Sequence, residues 1–280
     1  MNRPVTGFLD RPGGRLYHEV CGSGPPLLLI PTGNGDAGPY RPVAGLLGNR
    51  YTVITYDRLG FSRSSVDGPV DDDQRLDGEV DDVRALLDHL VGGPAHVFGT
   101  CTGATIALAL LARLPDRVRL LFVHEPPVVS VLPEAAEEIA FHEAVYATYR
   151  QQGLAPALAM FKGYLGADGG NRPPEAFQPP PQELRAMLTR IRDNQRFWME
   201  HDMRTFPAFV PDVEALRTVA DRVVLLGGED SRHLAGARVN VVLAERLGVE
   251  LVDVPGGHLG HVTHPREFSE RLAVLLEQRG

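Results

Sequence analysis

The chain has 280 residues, 43% of them hydrophobic, and a formal net charge of −8. That is enough apolar chain for one domain with an insertion or for two small ones, and the acidic balance argues against a nucleic-acid partner, whose phosphates need a basic face. No stretch approaches the ~18 consecutive apolar residues of a membrane span, no apolar run follows Arg3 as in a secretory leader, and two cysteines, Cys21 and Cys101, make no disulfide framework; the expected setting is reducing and cytoplasmic.

In chain order, Leu27 to Ile30 is an apolar run ended by Pro31 and a Gly-rich turn, and Tyr51 to Tyr56 is rich in β-branched and aromatic residues. Both read as strands. The acidic triplet Asp71 to Asp73 reads as a solvated loop before a helix, in which Val80, Val83, Leu86, Leu87 and Leu90 share one face. Strands are expected at Ala95 to Phe98 and Val118 to Val123, with a helix at Ala104 to Leu114 that is apolar nearly all round and therefore buried. Strands alternating with helices imply a parallel sheet covered on both faces.

From about Pro126 to about Pro211 the strand pattern stops. Helical stretches replace it at Glu134 to Gln151, Ala155 to Leu165 and Gln182 to Met203, interrupted by a proline-dense loop at Asn171 to Pro181. Alternation resumes with strands at Arg222 to Leu226 and Glu250 to Val254 and helices at Ala235 to Leu247 and Pro265 to Glu277. The expected organisation is an α/β core of residues 1–126 and 212–280 interrupted by a helical cap of residues 127–211.

The chemistry centres on Gly99-Thr100-Cys101-Thr102-Gly103, which follows a short β run and precedes a helix. This is the context of a G-x-S-x-G nucleophile elbow with cysteine as nucleophile. The residues two before and two after the nucleophile crowd each other at a sharp turn and must be small. The helix N-terminus then offers a positive dipole end and free N–H groups, which favour a thiolate.

A nucleophile needs a base and the base an orienting acid. Pro255-Gly256-Gly257-His258 places a histidine on a Gly-rich turn after a strand, so His258 is the expected base. His261 and His264 lie close by, but no cysteine or carboxylate cluster accompanies the three, and no metal is expected. The acid is expected after the strand Arg222 to Leu226, in Gly227-Gly228-Glu229-Asp230, as Asp230 with Glu229 behind it. Glu125, in His124-Glu125-Pro126-Pro127, is the other candidate and reads first as a helix-cap or loop carboxylate. The oxyanion donors are expected to be the backbone N–H groups of Thr102 and of Asn34, in the loop Pro31-Thr32-Gly33-Asn34-Gly35.

The elbow, the TGNG loop, the segment Tyr56-Asp57-Arg58-Leu59-Gly60-Phe61-Ser62-Arg63-Ser64, the GGED turn and PGGH occur in the order and spacing of the α/β-hydrolase superfamily, which the chain resembles over essentially its whole length. The likeness is to small bacterial esterases and thioesterase-like members. It implies a mostly parallel eight-stranded sheet, a helical cap after the sixth strand, and no cofactor. Three positions depart from the pattern: cysteine at 101 for serine, Thr32 where many members have the histidine of an HG dipeptide, and Ser62 where many have glycine.

A thiolate suits activated acyl groups such as thioesters, lactones and enol esters. The expected reaction is therefore acyl transfer through a thioester on Cys101. Transfer to an acceptor other than water, a lyase or cyclase reaction with His258 as base, and a non-catalytic binder remain as alternatives. Tyr164, Phe161, Phe197, Trp198, Met199 and His201 of the helical segment are the candidates for the pocket side, with Trp198 and His201, three apart on one helix, preferred. A small-molecule substrate is expected, with neither nucleic acid nor membrane as partner; a homodimer is left open.

Overall fold

A hairpin that the hydrophobic pattern does not announce opens the chain in the computed structural model, which describes residues 4–165 and 172–279. Strands β1 (Val5–Arg11) and β2 (Gly14–Cys21) pair antiparallel. β1 is a largely exposed edge, and β2 buries Tyr17, His18 and Glu19. Arg41 and Arg63 both reach Glu19.

The expected alternation follows. β3 (Pro26–Ile30), α1 (Arg41–Leu47), β4 (Thr52–Tyr56), the two-residue β5 (Ser65–Val66), α2 (Arg75–Leu90), β6 (Ala95–Thr100), α3 (Thr102–Arg113) and β7 (Val118–His124) lead into the insertion. Among the described residues the insertion is helical: α4 (Ala135–Gln152), α5 (Leu154–Leu165), α6 (Pro181–His201) and α7 (Thr205–Ala208). The chain then closes with α8 (Val213–Arg217), β8 (Val223–Gly228), α9 (Ala235–Leu247), β9 (Leu251–Val254), α10 (Gly260–Thr263) and α11 (Pro265–Arg279). No helix among the described residues is long and apolar enough to cross a membrane.

The sheet order is β1-β2-β4-β3-β6-β7-β8-β9, with β5 added beside β2. Every pairing from β4 across to β9 is parallel, so the mostly parallel sheet of eight main strands is as expected. Both of its faces are covered, which is why its strands read as apolar runs rather than alternating ones. In β3, Leu27 and Leu29 share a core with Val43, Phe268 and Leu272 on one face. Leu28 and Ile30 share the other core with Val80, Ile106 and Leu110. α3 buries every residue from Thr102 to Leu111.

The insertion is fastened to the core by charge. Arg58 is fully buried, donating from Nε and Nη2 to Glu79 and from Nη1 to Asp202 at 2.8 Å. Arg75 bridges the same two carboxylates. Removing one member of such a network strands the others without water. Arg58→Met is therefore expected to destabilise the protein by about 3–5 kcal/mol, read as a lower denaturant midpoint at unchanged m.

Ser62, where glycine was the family expectation, has φ +52°, a left-handed backbone that explains the preference for glycine there. Its Oγ donates to Asp36 at 2.7 Å, its N–H donates to Asn194 Oδ1 at 2.9 Å, and Asn194 Nδ2 reaches the Asn34 carbonyl at 2.7 Å. The YDRLGFSRS segment thus ties α6 to the loop that follows β3.

Candidate active site

The elbow has the geometry its glycines require. A Cβ at Gly99 would lie 2.3 Å from the Gly103 carbonyl oxygen, and one at Gly103 would lie 2.4 Å from that of Ile30. Neither glycine is needed for its φ; both are needed because backbone meets backbone. Between them Cys101 is held at φ +54°, ψ −128° as the residue preceding α3. Its N–H donates to the His124 carbonyl on β7 at 3.0 Å. Besides Ser62, the non-glycine residues at positive φ among those described are Cys101 and Glu125. Strain of this kind persists where the surroundings over-determine it, and it gathers at functional sites.

His258 lies beside the Cys101 thiol in the same cavity, close enough for its charge to act on it. Its Nδ1 is 2.8 Å from Glu125 Oε2. The acid expected at Asp230 is not there: Asp230 is exposed on its turn, as is Glu229. This corrects the sequence expectation, and the turn explains it. The other oxygen of Glu125 accepts from the Gly228 N–H at 2.8 Å and from the Ser231 hydroxyl. The GGED turn therefore holds the carboxylate delivered by the end of β7 rather than providing one.

The backbone N–H groups that lower the Cys101 thiol are those of Thr102 and Gly33. The Asn34 N–H is instead turned to Thr32 Oγ1 at 3.3 Å. Gly33 is packed under the Trp198 indole, whose Nε1 would lie 2.6 Å from a Cβ placed there.

Burial alone would push the Cys101 thiol up. The charge and hydrogen bond of His258, with the Thr102 and Gly33 N–H groups, outweigh it and leave the thiol below its ordinary value. Burial likewise opposes the imidazolium, but Cys101 and Glu125 hold His258 up at about 10. Glu125 is pulled down to about 2, burial being overcome by His258, His124 and Ser231. These directions favour the charged forms of the thiol and the imidazole side by side, on a carboxylate held by the turn.

Two pH effects are expected. Alkylation of Cys101 by iodoacetamide should show a midpoint below the ordinary thiol value of about 8.5, and turnover should fall as pH rises through about 10, where His258 loses its proton. Folding stability follows the same linkage. The raised His258 contributes stability that is present below the ordinary 6.5 and lost as pH rises through about 10. The depressed Glu125 contributes stability that is present above 4.5 and lost as pH falls through about 2.

Above the thiol lies a cavity of about 550 Å³. The core gives Thr32, Gly33, Cys101 and His258; the insertion gives His142, Leu158, Phe161, Lys162, Tyr164, Ile191, Gln195 and Trp198. Lys162 is the chain's single lysine. Of the expected pocket residues, Trp198, Tyr164 and Phe161 line it. Phe197 does not: it packs on Phe61 at 4.9 Å between ring centres. His201 does not: its Nδ1 is 2.6 Å from Asp72. Met199 sits in the insertion's own core with Val145, Ala157 and Met203. The cavity stripe of α6 is Ile191, Gln195 and Trp198, spaced four and three, and a further step of three rotates His201 off that face.

Residues 27–271 match the model of the alpha/beta hydrolase family. The chain is 34% identical to the uncharacterized hydrolase YraK of Bacillus subtilis, over 98% of this chain and 96% of that one. It is 31% identical to the zearalenone hydrolase of Cladophialophora bantiana, over 94% and 93%. Among solved structures, a thermophilic esterase from Thermogutta terrifontis superposes with a TM-score of 0.73 at 20% identity, covering 99% of each chain.

Proposed function

The chain belongs to the alpha/beta hydrolase family, and we propose that within it the protein hydrolyses an activated carboxylic ester or lactone through a Cys101–His258–Glu125 triad and an acyl-thioenzyme. The observation that carries this is the alignment of Cys101, His258 and Glu125, with two backbone N–H groups converging on the sulfur.

The thiolate adds to the acyl carbon, and the oxygen that gains negative charge accepts from the Thr102 and Gly33 N–H groups. Collapse breaks the bond to the leaving alkoxide, which takes the proton from His258. Neutral His258 then removes a proton from water as that water adds to the thioester. The second collapse releases the carboxylic acid and restores the thiolate beside the imidazolium. Glu125 keeps Nδ1 protonated throughout, so Nε2 is always the nitrogen that exchanges the proton. Asp230 has no part in this scheme, and Gly33 takes the donor role expected of Asn34.

Two relatives carry the name zearalenone hydrolase, so zearalenone belongs in the substrate panel with aryl esters, simple lactones and acyl thioesters. Intact-protein mass spectrometry after mixing with a p-nitrophenyl ester is expected to show one added acyl group, mapped to Cys101 and absent from Cys101→Ala. No adduct with any panel member, together with full activity of Cys101→Ala, would overturn the proposal. Transfer to another acceptor would form the same adduct; elimination with His258 as base would not.

A further inference from the structure

Among the polar groups of the cavity wall that the proposed chemistry does not use is a buried histidine of the insertion. His142, on α4, is only 4% exposed. Its Nδ1 is 2.8 Å from the Glu138 carbonyl oxygen. A carbonyl can only accept, so Nδ1 carries the ring hydrogen and Nε2 is left with a lone pair. Burial pushes the ring below its ordinary value, so it stays neutral near pH 7. Nε2 has no partner among the described residues. It also differs from the two nitrogens of His261, which are unpartnered but sealed in the core. His142 belongs to the cavity lining.

The surroundings make this acceptor specific. Phe141, Phe161 and Tyr164 ring the imidazole at 5.6, 6.1 and 5.8 Å between centres, and Phe161 in turn meets Trp198 at 5.1 Å. His142 therefore ends an aromatic wall that begins at the indole over Gly33. The Tyr164 hydroxyl is already spent on Glu138 at 2.6 Å. Nε2 is an open acceptor beside aromatic rings, and a ligand hydroxyl that reaches it makes a hydrogen bond that an analogue lacking the hydroxyl cannot make.

We propose that His142 recognises a hydroxyl on the substrate: the acyl compound carries an alcohol or phenol, remote from the reacting carbonyl, which donates to Nε2. This rests on the hydrolase reading above and narrows its substrate class. A site built around a hydrogen bond discriminates strongly against the analogue that lacks the donor.

The test uses p-nitrophenyl esters of ω-hydroxyalkanoic and hydroxyphenylalkanoic acids of graded length, each against its deoxy partner. Wild type is expected to prefer the hydroxylated member by about 10- to 100-fold in kcat/KM at one length. His142→Phe should bring that ratio near unity, whatever its effect on the absolute rates, and His142→Gln, which keeps an acceptor, should recover part of it. The matching carboxamides, titrated into Cys101→Ala with the fluorescence of Trp198 as signal, give the same comparison without turnover; Trp198 is the single tryptophan and lines the same cavity.

A ratio near unity at every length in wild type, or a ratio that survives His142→Phe, overturns the inference. The binding arm separates it from the mechanism. A His142-dependent preference in binding with turnover that ignores Cys101→Ala would sink only the acyl-thioenzyme. Cys101-dependent turnover without the preference would sink only the role of His142.

Discussion

Cys101→Ala is expected to lose turnover by on the order of 10^4-fold or more, with KM for a bound ester little changed. The substitution removes the attacking atom but leaves the cavity, the N–H groups of Thr102 and Gly33, and the His258–Glu125 pair in place, so the residual rate reports the donors and binding alone. His258→Ala should be nearly as damaging for a different reason. Burial pushes the thiol up, and the imidazolium is the largest influence opposing it; without it the sulfur stays protonated at neutral pH. The two variants are told apart by alkylation, since His258→Ala retains a thiol whose iodoacetamide midpoint moves upward. Cys101→Ser should retain measurable activity. The leading influence that holds His258 high is the Cys101 charge, and a neutral serine removes it, so His258 becomes a neutral base able to take the hydroxyl proton. A steady-state comparison of the three variants on one aryl ester decides the matter, and a Cys101→Ala rate equal to wild type would refute nucleophilic catalysis.

The parts of this site that were legible in the sequence are those governed by local sterics. Gly99 and Gly103 touch each other and the β3 backbone directly, so the elbow can be read from five residues. The order of strands and helices followed from hydrophobic runs because a doubly covered parallel sheet leaves few polar strand positions. The N-terminal hairpin escaped for the opposite reason: β1 is an exposed edge, and β2 buries Glu19 through arginines 22 and 44 residues further on. Side-chain choices on α6 escaped too. The sequence shows the spacing of Phe197, Trp198 and His201, but which of them faces the thiol depends on the helix rotation set by Asn194 against Ser62 and Asn34.

The acid was misread for a related reason. A carboxylate on a Gly-rich turn after β8 satisfies every local rule, but the choice depends on which strand end lies under the imidazole. β7 sits between β6, which carries Cys101 at its end, and β8. Glu125 leaves β7 at φ +48°, a conformation that no propensity signals for glutamate and that the following Pro126 and Pro127 did not reveal.

Glu125→Gln is therefore expected to lower kcat by on the order of 10^2- to 10^4-fold, while Asp230→Asn leaves it within about twofold, as for a surface substitution away from the chemistry. The amide keeps the shape of the carboxylate but removes its charge. It can present either its carbonyl or its NH2 to His258 Nδ1, and the second choice forces the hydrogen onto Nε2, the wrong tautomer for receiving a proton from water. The Gly228 N–H and the Ser231 hydroxyl both donate to Oε1, so they select the orientation that keeps a carbonyl toward the turn and an NH2 toward His258. The loss should consequently exceed that from removing charge alone. Ser231→Ala releases one of the two donors and should restore part of the Glu125→Gln activity, although in the wild-type background it weakens the hold on Glu125 and costs activity. A second signature is independent of rate: with Glu125 neutral the imidazolium loses a stabilising charge, so the alkaline limb of turnover moves down from about 10 and the alkylation midpoint of Cys101 moves up. If Asp230→Asn rather than Glu125→Gln produced these shifts, the turn after β8 would be the source of the acid, and the arrangement of Glu125 on Gly228 and Ser231 would be structural.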